Sequence, residues 1–241
     1  DEVEVEFLLT PELTISPENI PLDIIYEDEA LLAVNKPAGM VVHPAPGNWS
    51  STFVNALLYH CQNLPGPALR PGIVHRLDKD TTGILLAAKT AAAQQRLIEM
   101  FANREIYKEY LAICVGNPGN GEIKSLIGRH PVHRKLMTVL EDGGREAITF
   151  CKTLSFDGKL SVVQVVIATG RTHQIRVHMK YRGTPVLGDE SYGNHSANQK
   201  YGVERQMLHA HKLRFKHPLS RKDVELSAEI PYDMKLILER R

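Results

Sequence analysis

Cysteine is scarce in this chain. The three residues, Cys61, Cys114 and Cys151, are odd in number and scattered over 241 positions. They form neither paired ligand spacing nor a disulfide framework, so a disulfide-stapled scaffold is excluded and a reducing, cytoplasmic compartment is expected. Long apolar runs are missing too. None approaches the ~20 residues needed to cross a bilayer, and no charged-then-apolar leader opens the sequence, so no membrane association is expected. Metal-ligand spacing is also absent. His75, Asp78 and Asp80 match no ligand motif, His173 and His178 would diverge around a helix, and His209 and His211 share a strand face without an obvious third ligand. The expectation is an enzyme or binding protein without a metal. Finally, residues 1–30 lack Lys and Arg altogether while holding ten acidic residues.

That last absence shapes the rest. Beyond residue 30 the chain carries 29 basic against 18 acidic residues, a net of +11 hidden within a formal total of +1. A basic body of this size suits a polyanion such as nucleic acid, or an ordinary solvated surface. The length suits one large domain or one with a small appendage, and 43% hydrophobic residues suffice for a substantial core. Residues 1–20 are read as an acidic strand and linker, and 21–241 as the main domain.

The pattern predicts an opening strand, VEVEFLLT, then a proline-broken linker. DIIYED and ALLAVNKP read as two short strands, and MVVHPAPGN as a strand running into a loop. Helices are predicted near Thr52 to Cys61 and from Ala91 to about Asn103, the latter capped by Thr90. EIYKEYLAICVG reads as a long strand. EAITFCKTLSF and LSVVQVVIAT flank a hairpin turn at Asp157–Gly158, and the second, apolar on both faces, reads as a central strand. RTHQIRVHMKYRG is predicted helical, GDESYGNHSANQKYG a polar loop, MLHAHKLRFKHP and VELSAEI late strands, and PYDMKLILERR a closing helix begun by Pro231. The sum is an α+β fold: a long, mainly antiparallel mixed sheet with helices packed on it.

Three stretches could carry chemistry. In GIVHRLDKDTTG, two aspartates and two cations lie between apolar segments. If the stretch is extended, Arg76, Asp78 and Asp80 share one face, and nearby cations keep Asp78 ionised as a nucleophile or base. Asp80 with Thr81, Thr82 and Gly83 reads as turn chemistry. Asp78 and Asp80 would lie roughly 6–7 Å apart along a strand, a separation that also admits a glycoside hydrolase. In GRTHQIRVHM, Arg171 and Arg176 lie on or beside a short helix, and Arg176, at the edge of its buried stripe, calls for a carboxylate partner or a phosphate. In REIYKEYLAI, Tyr107 and Tyr110 face opposite sides of a strand, and neither is assigned a role from this stretch alone.

Taken together, VNKPAGMVVHP, GIVHRLDKDTTG, REIYKEYLAICVG and GRTHQIRVHM with its sequel GTPVLGDESYG resemble the pseudouridine synthases that modify ribosomal RNA, in the branch of large-subunit synthases A, C and D and nearest the D type. The resemblance runs from Pro21 to the C-terminus. It implies the pseudouridine synthase fold with a central cleft, and isomerisation of uridine to pseudouridine in large-subunit (23S) ribosomal RNA, with no cofactor or metal. It further implies that Asp78 is the catalytic aspartate, Tyr107 the aromatic stacked on the base, Arg176 the partner of the aspartate, and Arg76 the side chain that fills the gap left by the flipped nucleotide. Arg171 is expected to contact RNA. The expected partner is ribosomal RNA or a pre-ribosomal particle, and the expected state a cytoplasmic monomer. Members of the branch often begin with a basic S4-like domain, so residues 1–20 are read as its junction. A non-catalytic RNA-binding or ribosome-assembly protein is the rival expectation.

Overall fold

In the computed structural model, the described residues are 14–45 and 47–239. The expected VEVEFLLT strand lies outside them. In chain order the elements are β1 (Ile24–Glu27), β2 (Leu31–Lys36), α1 (Phe53–His60), β3 (Thr82–Ala88), α2 (Ala91–Ala102), β4 (Tyr107–Val115), β5 (Gly121–Arg129), β6 (Met137–Leu140), β7 (Arg145–Phe156), β8 (Leu160–Ile167), α3 (Gln174–Tyr181), α4 (His195–Tyr201), β9 (Leu208–Lys216), β10 (Asp223–Ser227) and α5 (Tyr232–Glu239).

The strands form one sheet in the order β1-β2-β3-β9-β4-β8-β7-β5-β6, with β10 also on β9. All described ladders are antiparallel except β3 with β9, which share only Thr82↔His209 and Gly83↔Ala210. That contact requires glycine. Gly83 holds a φ of +108°, and a Cβ there would collide with the Ala210 carbonyl oxygen. The sheet carries apolar layers on both faces, as the period-2 geometry of strands dictates. Leu32, Val34, Leu85 and Ala87 meet Phe53 and Leu57 of α1 and share a layer with Ile175 and Met179 of α3. Leu31, Ala33, Ile84 and Leu86 face the other way, toward Ala93, Leu97 and Met100 of α2.

Local chemistry sets several boundaries as the sequence predicts. Thr52 caps α1 in a capping box with Asn55, and Thr90 caps α2 through the Ala93 N–H. β8 lies between β4 and β7, in the interior of the sheet. Three regions differ from expectation. MVVHPAPGN is no strand: the carbonyls of Val41 and Val42 accept the N–H groups of Phe53 and Val54 at 2.8 and 3.1 Å, so they close the first turn of α1 instead of joining a ladder. The polar stretch after Gly188 contains α4, capped by Asn194 and ended by Gly202 in the left-handed conformation. Residues 121–140, to which the sequence pattern assigns no element, supply β5 and β6 at the sheet's far end.

Candidate active site

Residues 74–78 run extended into the start of β3 and alternate in direction. Leu77 is buried in the core, and His75 accepts the Leu86 N–H at 2.8 Å and stacks on Phe101. These anchors leave Arg76 and Asp78 on the open side. A turn follows, closed by the Thr81 N–H to the Asp78 carbonyl at 3.1 Å. Two cations pin this turn from behind. Lys36, wholly buried, donates to the carbonyl oxygens of Lys79, Pro37 and Met40 at 2.8, 2.7 and 3.0 Å. Arg205 donates to the Asp80 carbonyl at 3.2 Å. Burial pushes the Lys36 amine down to about 7, against the opposing pull of Asp80 and Asp78.

α3 brings the second half of the site. Its entry is set by Gln174, whose carboxamide oxygen accepts from Thr169 Oγ1 and the Arg171 N–H, and whose nitrogen donates to Ile148 O and Thr149 Oγ1 of β7. The residue before it, His173, sits at φ 56°, a left-handed conformation unusual for a residue with a side chain. Its Nδ1 lies 2.8 Å from the Tyr192 hydroxyl and its Nε2 3.9 Å from Asp78 Oδ1. Burial pushes the imidazole below its ordinary range; Asp78 opposes this and Arg176 adds to it. The neutral form of the ring is thereby favoured where it faces the site.

Arg176 joins the two halves. Nη1 donates to Asp78 Oδ2 at 3.0 Å, while Nε and Nη2 form a fork on Asp189 at 2.7 and 3.0 Å. Burial disfavours its charge, but the hydrogen bonds to Asp189 and the charges of Asp189 and Asp78 outweigh this, and the guanidinium is held more firmly protonated than usual. Asp189 is fully buried and also accepts the N–H groups of Ser191 and Tyr192 at 2.9 Å. Sequence reasoning missed this residue, although it lies in the GDESYG stretch. The sequence marks the stretch only by its glycines; in the fold, Gly188 at φ +78° and Gly193, where a Cβ would meet the Arg205 and Asp189 carbonyl oxygens respectively, lie on a backbone too close to its neighbours to be a free loop.

Asp78 stands between two cavities. A narrow recess of about 100 Å³ is floored by Tyr110, Ile167, Ile175 and Leu208. A wider basin of about 350 Å³ is walled by His43, Asn48, Ser191 and Gln206. Arg76, exposed, reaches both, and Arg171 borders the recess while its Nε donates to the Glu146 carbonyl at 2.8 Å. Four of the expected site residues thus meet here: Asp78, Arg176, Arg76 and Arg171. Tyr107 does not. Its hydroxyl donates to Glu109 at 2.7 Å and its ring lies under Arg214 at 4.0 Å, outside both cavities. Three positions along β4 reverse the face, and Tyr110 occupies the recess instead. Burial and the nearby Asp78 charge push the Tyr110 phenol well above its ordinary range, so its proton stays on. The wholly buried histidines His178 and His209 are satisfied structural groups: His178 bonds Thr149 and Ser125, and His209 bonds Thr82.

Comparison with known proteins agrees with this geometry. A family model for RNA pseudouridylate synthase matches residues 30–181, more than half of the chain. A Zymomonas mobilis protein named ribosomal large subunit pseudouridine synthase D is 46% identical over 233 residues, covering 92% of this chain and 74% of that protein. An uncharacterised RNA pseudouridine synthase of Chlorobaculum parvum is 42% identical over 100% of this chain and 80% of its own. Among solved structures, human RNA pseudouridylate synthase domain containing 4 superposes with a TM-score of 0.72 at 26% identity, over 90% of this chain and 92% of that one. An acid–arginine pair reaching from the start of β3 to α3 across an open cleft, and a fold and sequence shared with these proteins, have one reading: the chain belongs to the RNA pseudouridylate synthase family, enzymes that isomerise uridine within RNA.

Proposed function

We propose that the chain isomerises particular uridines of large-subunit ribosomal RNA, with Asp78 as the reacting anion. The observation that carries this reading is the asymmetry of the Asp78 carboxylate. Oδ2 is tied to Arg176 at 3.0 Å, while Oδ1 lies 3.9 Å from the His173 ring and opens onto the recess. One oxygen is fixed and the other is available, as an attack on C1′ or removal of the 2′ proton requires. The N1–C1′ bond breaks, the uracil turns within the recess, C5 joins C1′, and the C5 proton leaves to solvent. A base must leave its stack to reach this depth. Arg76, exposed beside Asp78, is proposed to fill the vacated position, and Arg171 to hold a phosphate.

Tyr110, not Tyr107, is assigned to the base. Its ring floors the recess, and with its proton retained it serves as a flat wall and hydrogen-bond donor, not as a resting phenolate. Residues 21–241 are proposed as the catalytic unit, and 1–20 as an acidic junction. The expected cytoplasmic setting and monomeric state belong to the same proposal, as does the ribosomal target suggested by the named relatives.

The test is tritium release from C5 of uridine in ribosomal RNA transcripts. The unaltered protein should release it, and Asp78→Asn should bind the same RNA yet release at least about a thousandfold more slowly. Silence of the unaltered protein on every ribosomal transcript, alongside normal binding, would favour the non-catalytic RNA-binding role.

A further inference from the structure

A cavity larger than either of those at Asp78 lies elsewhere in the fold. It lies between the β5–β6 hairpin and α3 and measures about 870 Å³, within the range of about 300–1,000 Å³ that encloses organic ligands of nucleotide size. We propose that this groove holds an unpaired stretch of the substrate RNA beside the target uridine, an inference that rests on the reading of the chain as an RNA-modifying enzyme.

Three observations lead there. The first is the lining. Half-buried Leu136 and Val139 of the hairpin pack against buried Val177 and Tyr192, an apolar strip within a lining of mixed polarity at the end of the sheet. Tyr181 lies at the groove with 65% of its surface exposed. An exposed aromatic face beside an apolar strip suits an unstacked base, not a duplex whose base faces are already covered. The second is charge. The hairpin tip, residues 129–135, reads RHPVHRK, with three fixed cations and no acid. It is a built turn: Arg129 donates to the Arg134 carbonyl at 3.1 Å, and His130 Nδ1 accepts the N–H groups of Val132 and His133. Lys180 adds a cation 5.8 Å from the Tyr192 ring. Of the acids lining the groove, Glu146 is already paired with Arg104 and Lys124, which leaves Glu141 to offset this charge. The third is continuity. Tyr192 lines the groove, and its hydroxyl accepts the Met137 N–H of β6 at 2.8 Å and meets His173, the ring that faces Asp78. Tyr192 is thus a buried wall shared by the groove and the His173 side of the Asp78 site, and on the proposal the nucleotides next to the target uridine run past it into the groove.

The probe is a fluorescein-labelled 12-mer of oligouridylate, followed by anisotropy over a range of salt. Lys180→Ala with Arg134→Ala and Lys135→Ala should weaken binding at least about tenfold and flatten the salt slope by ~0.7 for each phosphate that is no longer neutralised. Tyr181→Ala should weaken it roughly tenfold, and Tyr181→Phe should restore it, since stacking needs the ring and not the hydroxyl. On ribosomal RNA, KM should rise in step while kcat stays within about twofold. Unchanged affinity and slope in these variants would overturn the proposal, as would a fall in kcat at unchanged affinity. Absence of pseudouridine with the unaltered protein would instead strike the functional reading, which Asp78→Asn tests separately.

Discussion

Arg176 separates two carboxylates that could hardly be treated more differently. Asp189 has no exposed surface and takes two guanidinium and two backbone hydrogen bonds. Asp78 keeps 18% of its side chain exposed and takes one hydrogen bond from the same guanidinium. A saturated acid fixes geometry, whereas an acid with a spare oxygen can react. The pair divides the labour: Asp189 satisfies most of the arginine's charge and sets its orientation, so the remaining N–H aligns Asp78 without closing it.

This contrast can be broken from either side. Asp78→Asn should abolish turnover while stability changes by less than about 1 kcal/mol, because Arg176 keeps its fork on Asp189. Asp189→Asn should do both kinds of damage. Removing one partner of a buried pair costs about 3–5 kcal/mol, here reduced to roughly 2–3 because Asp78 still accepts one bond. The melting temperature should drop by about 5–10 °C, and single-turnover rates in the folded fraction should fall at least tenfold as Arg176 swings toward Asp78. If Asp189→Asn melts early yet turns over normally once folded, its role is confined to stability. The two tyrosines of β4 give a smaller contrast. Tyr110→Phe should slow turnover roughly ten- to a hundredfold, while Tyr107→Phe should stay within twofold, and the reverse order would return the base to Tyr107.

A still smaller effect separates Asp78 from the buried histidines. Burial pushes His178 and His209, both without exposed surface, down to about 4 from an ordinary 6.5. A group held neutral in the fold takes up its proton first in the unfolded chain. Its stabilising contribution is therefore complete above 6.5 and is lost as pH falls toward 4. Melting scans across that window should show a loss on the order of 2 kcal/mol per histidine, and His209→Gln should flatten the curve. An equal slope in both proteins would place the acid sensitivity elsewhere.

Much of this was legible in the sequence, for reasons that can be named. Thr90 announces a helix because a side-chain oxygen before a run of formers meets the free N–H groups, whereas the capping box of Thr52 with Asn55 shows only in the fold. Arg176 calls for an acid because charge at the edge of an apolar stripe needs one. Strand parity puts Tyr107 and Tyr110 on opposite faces, but which face opens on the cleft depends on neighbours brought in by β8 and β9. Asp189 was hidden because an acid in a polar stretch looks solvated, and only the folded backbone shows it enclosed. The segment at Val41 and Val42 looks like a strand by composition, yet the free N–H groups of α1 claim its carbonyls. β5 and β6 escaped notice because their burial is partial and irregular, as befits strands that line a groove instead of a core.

The seam between β3 and β9 has a mechanical meaning. Among the described residues, only the pairs Thr82↔His209 and Gly83↔Ala210 join β1-β2-β3 to the rest of the ladder in register, and β10 pairs with β9 from Lys212 to Lys216. Asp78 belongs to one side of this two-rung joint, and Arg176 to the other. The ion pair therefore fastens, from the cleft side, a seam that Thr82–His209, Gln206–Thr81 and Arg205–Asp80 fasten from the sheet side, so the same contacts that complete the sheet set the spacing of the acid and its arginine.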